Sequence, residues 1–170
     1  MNGRLLFRFF ASGVLLLSIS FLSEGHAADS GEFKGSWIAN GTRTPFAFGT
    51  ERQVFIYKIT GHVNLHNAPL GKKKDFWAEC VGLADSVTGL VGRCVWKDLT
   101  GPEVYLTIQS DQLEQGSQVT GTIVGGSGRF AGISGDLSFN WSSVIVMKDA
   151  DGTVSVNGET KNIDGHYRIP

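Results

Sequence analysis

The chain lacks a field of one sign. With 15 Lys and Arg against 16 Asp and Glu, its formal net charge is −1. It therefore has no whole-molecule attraction for nucleic acid or for an anionic membrane surface. Metal and redox spacings are missing as well. The two cysteines, Cys80 and Cys94, form neither a Cys-x-x-Cys pair nor a four-ligand zinc pattern. His62 and His66 fall on one face of a single strand about 13 Å apart, too far to share a metal ion. No serine or cysteine sits in a nucleophile elbow, and no stretch shows a convincing amphipathic helical pattern. Beyond residue 27 no apolar run is long enough to span a bilayer. No metal and no cofactor is expected. At 41% hydrophobic and 18% charged residues, the chain is too apolar for a disordered one.

The first segment reads as a leader rather than as structure. Arg4 and Arg8 precede the apolar run Val14–Leu22, and Gly25-His26-Ala27 places small residues at the −3 and −1 positions of a cleavage site. Residues 1–27 are thus expected to be a secretory signal peptide and residues 28–170 a single domain, periplasmic or secreted. No cysteine follows the cleavage site to anchor a lipoprotein, and no membrane insertion is expected after cleavage. A chain of this size buries a full core without metal or heavy cross-linking.

The 23 glycines are roughly twice the average share, and they fall at turn-like intervals without a collagen period. Between them lie short runs rich in Val, Thr and aromatics, which favour strands. Strands are predicted over 33–39 (ended by Asn40-Gly41), 53–65, 75–83, 90–97, 104–109, 118–124, 137–147, 154–156 and 165–169. In 53–65, Phe55, Tyr57, Ile59, Val63 and Leu65 share one face and Lys58, Thr60, His62 and Asn64 the other, the period of a half-buried strand. Eight or nine strands with no convincing helix point to a single antiparallel β-barrel of about eight strands, or to a sandwich.

Both cysteines lie in the exported part, where disulfides persist. In a hairpin centred on Val87, Cys80 faces Cys94, within disulfide reach. The same register makes Glu79 and Arg93 diagonal neighbours on a face that also carries Trp77, Val81, Leu83 and Val95. If that face is inward, Glu79 and Arg93 form the polar part of a ligand site beside Trp77, with Tyr57 as a further lining residue. The competing orientation places Cys80, Cys94, Phe76 and Trp96 inside and leaves Glu79 and Arg93 in solvent. Each face carries a tryptophan, so alternation alone leaves both open.

A glycine cluster follows the sixth strand. Gly126-Ser-Gly128-Arg-Phe-Ala-Gly132 looks like a dinucleotide loop, but a strand-like run follows it and no helix that could receive a pyrophosphate. A structural role fits better: Gly125, Gly126, Gly128 and Gly132 let the chain turn sharply, and Phe130 plugs the turn into the core. The segment Val124–Leu137 resembles the glycine-rich segment of allene oxide cyclases and dirigent proteins, and a similar run occurs in bacterial exported proteins of unknown role. The resemblance implies an eight-stranded antiparallel barrel, allene oxide cyclase-like in the wider lipocalin-like neighbourhood, and trimers in some members. Gly35-Ser-Trp37 is similar to the Gly-x-Trp of lipocalins, with Arg168 as a late basic partner for the tryptophan. The catalytic residues of the cyclases have no identifiable counterparts here, so neither activity carries over.

Three functions fit: a non-catalytic exported barrel that binds a small apolar or amphipathic molecule or another exported protein; an isomerase or cyclase that folds a hydrophobic substrate inside the barrel; or a packed barrel that acts through its surface. Trp37, Phe55, Tyr57, Trp77 and Trp96 are the aromatics available to line or plug the interior. The missing catalytic constellation favours the binder. For the leader, intact mass spectrometry of the exported protein is expected to give a chain that begins at Ala28. A mass that includes residues 1–27 would overturn the cleavage.

Overall fold

The computed structural model describes residues 28–67, 73–111, 113 and 116–170. The leader proposed for residues 1–27 lies outside the described residues. The strands are β1 (Asp29–Phe46), β2 (Val54–His66), β3 (Lys73–Asp85), β4 (Gly89–Asp98), β5 (Glu103–Ser110), β6 (Gln118–Gly126), β7 (Ser134–Asn140), β8 (Ser142–Lys148) and β9 (Val154–Ile169), with one short 3-10 turn at Gly128–Phe130. Each strand from β1 to β7 pairs antiparallel with the next. β7 then pairs with β9, and β9 returns to β1. The sheet is a closed antiparallel barrel of eight strands, with β8 as an extra strand beside the first half of β9.

Three boundaries differ from the sequence expectation, and the ladder explains each. Asn40-Gly41, read as a turn, lies inside β1, bonded between Thr60 and Ile59 on one side and Asn157 and Val156 on the other. Two flanking ladders outweigh the local turn preference of Asn-Gly. The run 137–147 is broken at Trp141 into β7 and β8. The fragments 154–156 and 165–169 belong to one strand, β9, which carries a bulge. Trp37 pairs with Thr160 and Gly35 with Ile163, so β9 spends one residue more than β1 there. The bulge changes the inward set from Val154, Val156 and Thr160 to Ile163 and Tyr167, all buried. Asn162 fills the bulge: its Oδ1 accepts from the Thr160 hydroxyl at 2.7 Å and the Asn140 N–H at 3.1 Å, and its Nδ2 donates to Asn140 Oδ1 at 2.7 Å.

The β3–β4 hairpin has the expected register. Cys80 faces Cys94 with Cα atoms 4.1 Å apart, and the two form a disulfide. Such a bond fits an oxidising compartment. Among the described residues no helix is long and apolar enough to cross a membrane.

One end of the barrel is shut by the glycine-rich turn. Gly128 (φ 57°) and Gly132 (φ 76°) occupy the left-handed region that glycine tolerates, and Phe130 between them is fully buried, 5.8 Å from Phe76. No helix follows the turn. Instead the chain enters β7.

An ion cluster staples this end. Asp98 is buried, accepts hydrogen bonds from the Thr100 N–H at 2.8 Å and hydroxyl at 2.7 Å, and pairs with Lys74 at 3.2 Å and with Arg129. Burial alone would raise the Asp98 carboxyl, but the bonds from Thr100, Arg129 and Lys74 outweigh it and hold the group well below the usual carboxylate range. A carboxyl depressed in the folded state contributes stability that is present above its unfolded value, about 4, and is lost as pH falls towards the folded one. Asp98→Ala is expected to cost about 2–3 kcal/mol, less than a fully buried pair because Arg129 keeps some contact with solvent. Thermal melts between about pH 6 and 3 are expected to show a shallower acid decline in Asp98→Asn than in the parent chain. Identical slopes would show that the cluster does not set acid stability.

Candidate functional site

The barrel interior is narrow, and eight strands crowd it with side chains. The face of the β3–β4 hairpin that turns inward is accordingly the slimmer one: Phe76, Ala78, Cys80, Ala84, Cys94 and Trp96 are buried. The opposite face meets solvent. Glu79 and Arg93, expected inside as the polar part of a ligand site, are exposed on the outer wall. No ion pair joins them. An Arg93 N–H donates to the Gly92 carbonyl at 2.8 Å. Trp77 is also outside, 39% exposed, with its ring edge-on to His62 at 5.0 Å. The physical reason is volume: charged and long side chains fit the convex wall, small ones the concave interior. Of the four expected ligand residues, only Tyr57 faces the interior. Arg168, expected beside Trp37, is exposed on β9. Trp37 instead packs against Trp141 (4.8 Å) and Phe139 (6.0 Å).

The end of the barrel opposite Phe130 holds a cavity of about 100 Å³. It lies where β7 gives way to β8 and the wall next to the β5–β6 connection loses a continuous ladder. Its walls are mainly apolar and aromatic, including Trp37, Tyr57, Phe139 and Trp141. Two of its lining residues carry a buried polar atom with no hydrogen-bond partner among the described residues: the indole Nε1 of Trp37 and the hydroxyl of Ser117. Such groups are rarely left orphaned in a protein interior.

Tyr57 lies along the inner wall over a glycine pair on the two strands beside it. Gly82 faces Gly92 in the hairpin, and a Cβ on Gly92 would come within 2.0 Å of the Tyr57 hydroxyl. That hydroxyl donates to the Val91 carbonyl at 3.4 Å. Burial pushes the phenol well above its ordinary value, so it stays neutral at neutral pH.

Arg43 is the charged group of the cavity lining. It continues the inward series of β1 after Trp37 and Ala39 and stands opposite Tyr57. Its guanidinium lies 4.5 Å from the centre of the Phe55 ring. Among the described residues no carboxylate pairs with it, and partial burial lowers its pKa. Sequence reasoning passed over Arg43 because the first strand was ended at Gly41. Continued two residues further, the alternation would have placed Arg43 inside. Ser117 and Trp141 left no such signal, because their positions follow from where β7 parts from β6.

Among the described residues no group of three or more His, Cys, Asp and Glu is placed to hold a metal ion. Among the described residues, the site offers an apolar slot and one cation, and no nucleophile–base pair lines it.

Gly92→Ala is expected to destabilise the protein by about 1–3 kcal/mol through overpacking against Tyr57. In the Tyr57→Leu background the same change is expected to cost much less. A double-mutant cycle in chemical denaturation measures the coupling, and strict additivity would show that the glycine pair does not shape the Tyr57 seat.

No protein-family model matches this chain, and no curated protein matches it.

Proposed function

We propose that the protein is an exported, non-catalytic β-barrel, periplasmic or secreted, that binds a small apolar or amphipathic molecule at its open end. The observation that carries this is the mainly apolar, aromatic cavity at that end, lined also by Arg43 and by Trp37 and Ser117, whose Nε1 and hydroxyl have no partner among the described residues. A few polar groups converging on a mainly apolar concavity is the usual make-up of a small-molecule site. The volume, about 100 Å³, is below the roughly 150 Å³ of a dry cavity that accepts benzene, so the cavity itself houses at most about one six-membered ring. Kinship with the allene oxide cyclase and dirigent-like barrels is part of the same proposal, supported by the Val124–Leu137 segment and by its seat at the closed end. An isomerase would need an acid or base on the inner wall, and Glu79 is exposed.

The outer wall supports a second reading. Ile56, Trp77, Val81, Leu83, Val91 and Val95 are each more than a third exposed on neighbouring strands β2, β3 and β4. A face of this kind suits contact with another exported protein or with further copies of the chain, as in a trimer.

Benzene and indole probe the cavity directly. At about ten times its dissociation constant, a guest is expected to raise Tm by roughly 3–5 °C and to alter tryptophan emission. Native mass spectrometry of protein purified from the periplasm reads out any molecule carried along. No shift with either probe, together with an empty native mass, would overturn the binder.

A further inference from the structure

We propose that the molecule bound at the open end is a small aromatic carboxylic acid, its ring inside the cavity and its carboxylate paired with Arg43 at the mouth. This rests on the binding site proposed above and adds the charge and chemical class of its ligand.

The first support is an imbalance of charge. Of the described side chains that line the cavity, two can ionise, Arg43 and Tyr57. Tyr57 remains a neutral phenol, and among the described residues no Asp or Glu lines the cavity. Arg43 therefore presents a positive charge that is partly withdrawn from water without a carboxylate partner among the described residues. A charge taken out of water costs free energy unless it is paired, and the Phe55 ring face offsets that only in part. A guanidinium presents a planar fork of donors that matches a carboxylate two bonds at a time. A cationic guest would be repelled, and a neutral one would leave the imbalance unchanged.

The second support is independent of charge. Trp37 is buried, lines the same cavity, and its indole N–H finds no acceptor among the described residues. The Ser117 hydroxyl is unpaired in the same way. Two of the three such atoms among the described residues belong to residues that line this one small cavity. The indole N–H could meet a guest only as a donor, and only after a small shift of its surroundings.

Size and shape set the rest of the class. The cavity, about 100 Å³, holds about one ring and not a long acyl chain or a nucleotide within it. Flat walls formed by Trp37, Trp141 and Phe139 favour an aromatic ring, which gains from offset or edge-on stacking beyond the area it buries.

The experiment compares three probes of one shape at neutral pH: benzoate, benzyl alcohol and benzylamine. Each is titrated calorimetrically into the exported protein and into Arg43→Gln, whose fold is checked by its melt and near-UV dichroism. Benzoate is expected to bind at least tenfold more tightly than benzyl alcohol, and benzylamine more weakly than either. In Arg43→Gln the advantage of benzoate over benzyl alcohol is expected to vanish while benzyl alcohol keeps its affinity. Arg43→Lys is expected to restore part of that advantage, which guards against a merely structural effect of the Gln variant. Equal binding of benzoate and benzyl alcohol by the parent protein would overturn the carboxylate assignment and leave the apolar site standing. Benzoate binding that is indifferent to Arg43 would overturn it too. If none of the three binds, and benzene and indole fail as well, the binding site itself falls and the orphaned atoms serve bound water.

Discussion

Closure of β1 against β9 is the constraint on which the rest depends. An open sheet of these strands would have two edges and two faces. Pairing Asp29–Arg43 with Val154–Ile169 removes those edges and turns one face into an interior. Every inward position then competes for a small fixed volume, and the choice of face on each strand follows from that competition. The bulge in β9 belongs to the same constraint. Without the extra residue between Thr160 and Ile163, half of β9 would present the wrong set of side chains.

Closure leaves two unlike ends. At one end the chain turns back through Gly128 and Gly132, drops Phe130 onto Phe76 and covers it with the Asp98, Lys74 and Arg129 cluster. At the other, β7 stops at Asn140, the chain breaks at Trp141, and β8 continues alongside β9 beyond the reach of β6. A barrel filled at one end and parted at the other concentrates its unfilled volume at the open end. That is where Trp37, Ser117 and Arg43 leave their polar groups unmatched. The disulfide ties together the middle of the wall opposite, so β3 and β4 form a firm backing for Tyr57.

The electrostatics of the two ends differ in the same sense. Asp98 is surrounded by donors and cations that satisfy it. Arg43 has an aromatic face and no carboxylate among the described residues. The Asp98 carboxylate is satisfied within the chain, and its cluster serves stability. Arg43 has no such partner among the described residues, and one from outside would complete it.

Parity was legible in the sequence and direction was not. The period-2 pattern of Phe55 to Leu65 fixes which residues share a face, and the spacing of Cys80 and Cys94 about Val87 fixes the hairpin register. Both are properties of adjacent residues in a pleated chain. The glycine-rich turn and its Phe130 plug were legible for the same reason, since positive φ is a local demand. Which face of β3–β4 looks inward was undetermined, because Trp77 and Trp96 lie on opposite faces and both carry apolar neighbours. Tertiary structure decided it by volume, admitting Ala78, Cys80 and Cys94 to the concave side and sending Glu79 and Arg93 to the convex one. It decided the site as well. Arg43 and Tyr57 are partners in the β1–β2 ladder, but Ser117 and Trp141 join them only because the sheet closes.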